Sequence, residues 1–242
     1  MLQRTAGIVL HTIKYNDSSN IVDIYTKSFG RTSFIVSVPK SRRSTIKTSF
    51  FQSLSIVEID ADVHNNRSLG RIKNIHFLYP FSSIPFDRKK TTIAFFLAEF
   101  MLHALKEESE NSPMFDYITN SITWLDSCGE DYSNFHLVFL MHLSWFLGFY
   151  PNLQDYHQGD YFDMLNSCYV NTKPLVHTFF LEPAEAVQIN DMMRMNYNSM
   201  HLFNMSRAQR NRCIEVIIEY YRIHLPDFPE LKSIDILREL YD

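Results

Sequence analysis

Short stretches of alternating hydrophobic and polar positions run through the first 80 residues. These stretches are separated by Gly, Asn, Asp and Ser and cover residues 5–15, 20–27, 31–38, 50–61 and 72–80. Alternation with a period of two, interrupted by turn residues, is typical of β-hairpins. Five strands in so short a segment predict a small closed barrel, since closure removes exposed strand edges.

After residue 80, apolar residues recur at spacings of three and four, which is typical of amphipathic helices. A first helix is predicted in 91–108, with an apolar stripe of Ile93, Phe96, Leu97, Phe100, Met101 and Ala104. Ser112 and Pro113 are the residue types of an N-cap and a first helical position, so a second helix is expected over 114–126. Residues 133–147 are apolar on nearly all sides and predict a helix at the centre of a bundle.

Ser206 and Gln209 form a capping-box pattern, which predicts the start of a further helix near the C-terminus. Residues 150–181 show neither period and are expected to be irregular. The pattern therefore predicts an α+β protein of two domains. Residues 1–80 are expected to form a five-stranded OB-like barrel, and residues 81–242 an all-α domain.

Charge is divided at the same boundary. The whole chain has a formal net charge of −4, but residues 1–80 contain 11 Lys+Arg against 5 Asp+Glu. Residues 38–47, VPKSRRSTIK, contain four basic side chains and no acidic one. A basic domain on an acidic chain suggests a polyanionic partner for that domain. A solvated basic face without a partner accounts for the same numbers.

Other classes of protein find little support in the sequence. No apolar run approaches the roughly 20 residues of a membrane span, and the N-terminus shows no secretory signal pattern. Three widely spaced cysteines, an odd number, favour a reducing cytoplasm over a disulfide framework. The chain lacks the G-x-S-x-G, Walker and G-x-G-x-x-G motifs and has six glycines in all. A non-enzymatic protein without a cofactor is therefore expected.

A basic barrel with exposed aromatic rings suits single-stranded nucleic acid, because cations follow the phosphates and bases stack on the rings. The candidate phosphate contacts are Lys14, Arg31, Lys40, Arg42, Arg43 and Lys47. The candidate stacking residues are Tyr15 and Phe34, although an aromatic residue inside a strand is more often part of the core. A second cluster, Arg67, Arg71 and Lys73, either widens this surface or forms a solvated turn.

Three segments of the chain resemble the RecO family of recombination mediators. GIVLHTIKYNDSSNIVDIYTKSFGRTSFIV (7–36) is similar to the family's N-terminal barrel, with Thr26 closing the second strand and Gly30 followed by a basic residue. The basic loop after the third strand fits the same order. WFLGFYPNL (145–153) resembles the element that ends a central helix, and LPDFPELKSIDILREL (225–240) resembles the closing helix.

This resemblance implies a function. The protein would bind single- and double-stranded DNA, anneal complementary strands and, with RecR, help to load RecA onto DNA coated with single-strand-binding protein. Its helical domain would engage RecR and the single-strand-binding protein. Arg207 and Arg210, three residues apart on one helix face, are candidates for that contact. The expected location is the cytoplasm, in association with the nucleoid.

The chain departs from the family's pattern in two places. Many RecO proteins have paired zinc-binding cysteines after the Pro-x-Leu element, where this chain has Asp155, Tyr156, His157 and Asp160, followed by a lone Cys168. Loss of the zinc module is therefore expected, with Tyr150, Tyr156, Tyr161 and Phe162 packing in its place. His157, Asp160 and Asp163 lack a fourth ligand at usable spacing. Ser37-Val38-Pro39 also replaces the usual small residue and glycine before the basic loop.

Three other functions fit the same residues. One is a general single-strand DNA- or RNA-binding barrel without mediator activity. Another is an enzyme whose site involves His157 or Asp160, since many active sites have no sequence motif. The last is a scaffold that no longer binds nucleic acid, in which Lys40, Arg42 and Arg43 would have no role.

Overall fold

The barrel predicted for the N-terminal part is present. A computed structural model describes residues 2–37, 46–62, 69–106, 109–154 and 156–240. Its first five strands are β1 Leu2–Asn16, β2 Ser19–Thr26, β3 Gly30–Ser37, β4 Ile56–Asp62 and β5 Gly70–Tyr79. They close in the order β1-β2-β3-β5-β4, with β4 paired back onto β1. All neighbours are antiparallel except β3 and β5, which is the strand order of an OB-like barrel.

Alternate residues of the strands fill the interior of the barrel. The core comprises Val9, Val22, Ile24, Phe34, Val36, Phe51, Val57, Ile59, Ala61, Ile72 and Ile75. Phe51 does not come from a strand, because Thr48–Phe51 forms a 3₁₀ turn that lies against the barrel. The prediction that the fourth strand begins at residue 50 is therefore wrong, and β4 starts at Ile56.

Two helices pack with the barrel, α1 Arg88–Ala104 and α2 Ser112–Ser127. Asp87 caps α1 by accepting hydrogen bonds from the backbone amides of Lys89 and Lys90. The cap of α2 differs from the prediction, since Oδ1 of Asn111 accepts the Met114 amide at 3.1 Å and Ser112 is already helical. A short C-terminal helix, α6 Ile234–Arg238, contacts α1.

Contacts between residues divide the chain into two compact units. The first comprises Met1–Ser127 with Leu231–Leu240, and the second comprises Cys128–Glu230. Glu99 of α1 explains why the C-terminal segment belongs to the first unit, because its carboxylate accepts the amides of Lys232 and Ser233 at 3.0 and 2.8 Å. The predicted boundary near residue 80 marks the end of the barrel, and α1 and α2 continue the same unit beyond it.

The second unit is mainly helical. It contains α3 Phe135–Phe146, α4 Pro183–Arg194 and α5 Arg207–His224. Helix α3 contacts α4 and α5 and is buried on most sides, as its apolar composition predicts. The predicted capping box of α5 is confirmed at Ser206 and Gln209. Helix α4 has no counterpart in the predicted elements, although Pro183 at its start is a typical helix signal.

The segment 150–181 is not wholly irregular, which corrects the prediction. It contains three short strands, β6 Tyr161–Asp163, β7 Cys168–Val170 and β8 Phe180–Leu181, in the order β7-β6-β8. Strands of two or three residues are too short to show a period of two, so the sequence pattern does not reveal them. No helix within the described residues is long and apolar enough to cross a membrane.

Candidate nucleic-acid interface

A row of apolar side chains crosses the outer face of the barrel. The register pairs Ile13 of β1 with Ile21 of β2, Ile21 with Ile35 of β3, and Ile35 with Arg71 of β5. Neighbouring Val22 and Phe34 are fully buried in the core, so alternation places the isoleucines outside. We call Ile13, Ile21, Ile35 and Arg71 the outer row.

The outer row is accessible and ends near an aromatic ring. Ile13 is 44% exposed, and Tyr15, two residues further along β1, is 59% exposed. Ile21 and Ile35 are half-buried. Isoleucine side chains on the outside of a strand remain in contact with water unless a partner covers them, so a row of them marks a candidate contact surface. The outer row with Tyr15 is therefore the part of the barrel surface best suited to covering by bases.

Four described basic side chains of the barrel unit are candidates for contacts with phosphates. Arg71 and Lys73 are exposed on β5, and Lys47 is exposed at the start of the 3₁₀ turn. Lys14 is exposed too, although its Nζ atom lies 2.8 Å from a carboxylate oxygen of Asp17. This pair is fully on the surface and is worth little, so a phosphate can compete for the lysine. Lys40, Arg42, Arg43 and Arg67 lie outside the described residues.

Two carboxylates of β4, Asp60 and Glu58, are paired with side chains of the neighbouring strands β1 and β5. Arg4 donates to Asp60 at 2.8 Å, and Asn74 donates to the other oxygen of the same carboxylate at 3.1 Å. The hydrogen bond from Arg4, followed by that from Asn74, lowers the pKa of Asp60. Glu58 lies 3.3 Å from His76 on the same side. These two carboxylates are therefore already paired within the barrel.

Two of the predicted contacts have structural roles. Phe34 is 0% exposed and lies in the barrel core, so no ring face is open to a base and its prediction as a stacking residue is wrong. The reason is the register of the sheet, which pairs Phe34 of β3 with the buried Val22 of β2. Arg31 is half-buried, and its Nη1 atom donates to the backbone carbonyl of Leu102 at 2.6 Å.

The two arginines expected to contact a protein partner differ in their exposure to solvent. Arg207 is exposed, whereas Arg210 is 8% exposed and donates to Oδ1 of Asn134 and to the carbonyl of Met205, both at 3.0 Å. They do not form an exposed pair, which corrects that expectation. Arg210 lines a pocket of about 360 Å³ together with Asp131, and the lining of this pocket is mostly polar.

The segment that follows α3 is held by aromatic packing and by one carboxylate. Phe162 is fully buried, with ring centroids 5.1 Å from Tyr169 and 6.0 Å from Tyr220. Asp163 accepts the backbone amides of Leu165 and Asn166 at 3.0 and 2.9 Å. Burial opposes its ionisation, but the hydrogen bonds from Asn166 and its neighbours outweigh this and lower the pKa of Asp163.

The aromatic residues that were expected to pack in place of the zinc module are buried to different degrees. Tyr156 lies 4.6 Å from Tyr169 between ring centroids and Tyr161 lies 6.0 Å from Phe180, whereas Tyr150 is 38% exposed. His157 and Asp160 are joined locally, the His157 amide donating to Asp160 at 2.8 Å. Within the described ranges, which omit Asp155, no group of three or more His, Cys, Asp or Glu side chains could hold a metal ion.

One feature of the first unit was not predicted from the sequence. A mostly apolar groove of about 450 Å³ lies between β1, the residues after the 3₁₀ turn and α1, and its lining includes His11, Phe51, Gln52, Phe81 and Phe95. One residue could have indicated this groove from the sequence: Phe95 is a large apolar residue that lies off the apolar stripe predicted for this helix. It is 56% exposed, whereas Phe96 beside it is fully buried.

Fold and surface together define an α+β protein in which an OB-like barrel with a basic, aromatic outer face precedes a helical region. Comparison with known families is consistent with this. The N-terminal model of recombination protein O matches residues 1–81, and the C-terminal model of the same family matches residues 85–233. The chain therefore belongs to the RecO family.

Similar proteins extend over the whole chain. The DNA repair protein RecO of Phocaeicola vulgatus is 58% identical over 241 residues, and the protein of the same name from Bacteroides fragilis is 56% identical over 242 residues. Both alignments cover 100% of this chain and of the relative. The DNA repair protein RecO of Flavobacterium johnsoniae is 34% identical, with 98% of each chain covered.

Proposed function

We propose that this protein acts in DNA repair by binding single-stranded DNA across the outer row of its barrel. The observation that carries the proposal is the row itself, in which Ile13, Ile21 and Ile35 lie side by side and lead to Arg71. Tyr15 adds an exposed ring beside it. Bases would cover the isoleucines and stack on the tyrosine, and the cations would neutralise phosphates.

The basic segment 38–47 extends this surface in sequence. It follows β3 directly and leads into the 3₁₀ turn, so the residues on either side of it, Ser37 and Thr48, both belong to the barrel unit. We propose that Lys40, Arg42, Arg43 and Lys47 contact phosphates, together with Lys14, Arg71 and Lys73. Each such contact releases counterions, so affinity would fall steeply as salt is raised.

The wider role proposed is that of a recombination mediator. By neutralising two strands at once, a non-catalytic barrel of this kind lowers the electrostatic barrier to their pairing. It would bind single- and double-stranded DNA, anneal complementary strands and, with RecR, help to load RecA onto DNA coated with single-strand-binding protein. Membership of the RecO family and the names of the relatives support this role. The proposed location is the cytoplasm, with the nucleoid.

The test is fluorescence anisotropy of a labelled single-stranded oligonucleotide at several salt concentrations. The Lys40/Arg42/Arg43→Ala variant is compared with a control that removes three exposed charges elsewhere, Lys173/Arg194/Lys232→Ala. The first variant should lower the slope of log affinity against log salt by about 2, at about 0.7 per lost phosphate contact. The control should leave the slope unchanged.

A strand-annealing assay then separates a mediator from a general single-strand-binding barrel. Annealing of complementary oligonucleotides by the wild type, lost in the Lys40/Arg42/Arg43→Ala variant, supports the mediator. Binding without annealing, or a preference for RNA, would favour the general binder. Absence of binding even at low salt would contradict the proposed function altogether.

A further inference from the structure

We infer that the groove beside α1 receives one unstacked base of the bound single strand. The inference rests on the proposed function, because it assigns a subsite on the same DNA-binding surface. The groove would act as a stacking pocket without sequence readout, and the outer row would carry the neighbouring nucleotides.

The groove has the size and walls that a planar ring requires. Its volume of about 450 Å³ falls within the range of small-ligand sites, about 300–1,000 Å³. Its lining residues come from β1, from the end of the 3₁₀ turn and the two residues after it, from the segment that leads into α1, and from α1 itself, which includes Phe95. All of these residues belong to the first compact unit, so the groove lies within one packed body.

Two aromatic residues of the lining keep part of their surface exposed. Phe95 is 56% exposed on α1, and Phe81 is half-buried, with its ring edge-on to Tyr79 at 6.0 Å. An exposed phenylalanine on the outer side of a helix gains nothing from the core, since Phe96 and Phe100 already supply the buried stripe. A base that stacked on the exposed face of Phe95 would bury that ring from water.

The polar groups that line the groove suit an uncharged base better than a charged group. The hydroxyls of Thr12 and Thr91 are committed to backbone carbonyls, those of Phe51 and Ile84, at 3.1 and 2.6 Å. The exposed amide of Gln52 offers both donors and an acceptor, which can satisfy the edge of any base. No described lining residue is a carboxylate.

The groove also continues the proposed binding surface. His11, which lines it, lies on the outer face of β1 two residues before Ile13 of the outer row. A strand crossing Tyr15 and Ile13 therefore reaches the groove by following β1. Lys47 is exposed at the start of the 3₁₀ turn that contributes Phe51 to the lining, although it does not itself line the groove. Two carboxylates next to this path are already paired: Asp23 lies 3.6 Å from His11 and accepts a hydrogen bond from Ser33, and Asp17 lies 2.8 Å from Lys14.

The first experiment compares Phe95→Ala with Phe86→Ala. Phe86 is 84% exposed in the same unit but does not line the groove, so it is a matched control. The probes are an oligothymidylate and an oligonucleotide of equal length with internal abasic residues, which keeps the phosphates and removes bases. The ratio of the two affinities measures the contribution of the bases apart from that of the phosphates, and the comparison of Phe95→Ala with the wild type isolates the part that depends on this ring.

The expected result is selective. Phe95→Ala should lower the ratio of oligothymidylate to abasic affinity about 5- to 150-fold, the effect of one lost base–aromatic stack. Its salt slope should equal that of the wild type, because no phosphate contact is lost. Phe86→Ala should change neither quantity. An equal ratio for wild type and Phe95→Ala would overturn the groove subsite, even though the wild type still bound DNA.

A second measurement locates the base directly. An oligonucleotide containing 5-iodouracil is photo-crosslinked to the wild-type chain, and the modified peptides are identified by mass spectrometry. Crosslinks to Phe81 or Phe95 support the inference, and crosslinks confined to Tyr15 or to the second unit overturn it. If the wild type binds no DNA at any salt concentration, the proposed function fails and the subsite fails with it. A groove that binds an apolar peptide but gives no crosslink also overturns the subsite.

Discussion

The guanidinium of Arg31 donates a 2.6 Å hydrogen bond to the backbone carbonyl of Leu102. Leu102 lies in the last turn of α1, where carbonyl groups have no partner within the helix. A cation at this end also opposes the negative pole of the helix dipole. Arg31 therefore joins β3 to α1, and its role in the barrel unit is structural.

Replacing Arg31 with Ala should lower the free energy of unfolding by about 1–2 kcal/mol, because a charged hydrogen bond to a helix carbonyl is lost. Urea unfolding measures this change, and the salt slope of DNA binding should stay as in the wild type. Arg71→Ala is the control, since Arg71 is exposed on the outer row. It should lower the salt slope by about 0.7 with little loss of stability. The reverse pattern for the two variants would contradict these assignments.

Tyr15→Ala should weaken binding of an oligothymidylate about 5- to 150-fold, since one stacking surface is removed. The ring is 59% exposed, so the free energy of unfolding should change by less than about 0.5 kcal/mol. Tyr15→Phe keeps the ring and should bind like the wild type. If the phenylalanine variant binds as weakly as the alanine variant, the hydroxyl and not the ring face makes the contact.

Gly70 and Phe34 should be energetically coupled. A Cβ atom added at Gly70 would lie 2.7 Å from Cδ1 of Phe34, far closer than packed carbons allow. Gly70→Ala should therefore destabilise the chain by about 1–3 kcal/mol. Phe34→Leu leaves space beside Gly70 at a cost of its own, and the double variant should be more stable than the sum of the single changes predicts. Additive costs in the double-mutant cycle would show that the two residues do not compete for space.

Asp126 should carry part of the acid sensitivity of the first unit. It is 1% exposed and accepts the amides of Ser82, Ser83 and Ile84 at 2.8–2.9 Å. Burial opposes ionisation, but these hydrogen bonds outweigh it and lower the pKa of Asp126. A lowered folded-state pKa contributes stability above the unfolded pKa, about 3.9, and this contribution is lost as pH falls through the folded value.

Asp126→Asn should therefore cost about 2–4 kcal/mol at neutral pH, because buried amide donors lose an acceptor. Its free energy of unfolding should also fall less than that of the wild type between pH 5 and pH 2.5, as measured by denaturant titration at each pH. Asp116→Asn is the control, since Asp116 pairs with Lys27 on the surface at 2.8 Å. An acid profile of Asp126→Asn that parallels the wild type would rule out this carboxylate as the titrating group.

Asp163 should hold its segment together without a metal ion. Asp163→Ala removes an acceptor of two backbone amides and of the Asn166 side chain at 2.8 Å, and should cost about 2–4 kcal/mol. Asp160→Ala is a milder comparison, since the described contacts of Asp160 are to His157. Addition of a chelator should leave the thermal midpoint of the wild type unchanged. A lower midpoint with chelator, restored by zinc, would reveal a metal site.

The local pattern of apolar and polar residues was enough to predict most of the strands and helices. Five strands, their closure and the helices α1, α2, α3 and α5 follow from periods of two and of three to four, because each element buries one face against a shared core. The family also follows from ordered short segments such as GIVLHTIKY and WFLGFYPNL. The short strands around Asp163 were not predicted, since two or three residues hold no period. The helix α4 was not predicted either, although Pro183 at its start is a typical helix signal.

The sequence by itself determined the fold class, the division of charge and the supply of basic and aromatic residues in the barrel, because composition and periodicity are properties of neighbours along the chain. Only the tertiary structure decided which residues serve which purpose. Register turned Phe34 inward and Ile35 outward, and a helix end 71 positions away engaged Arg31. The groove at Phe95 needs three separate segments to meet. Contacts between distant residues depend on packing and register, which no local pattern specifies.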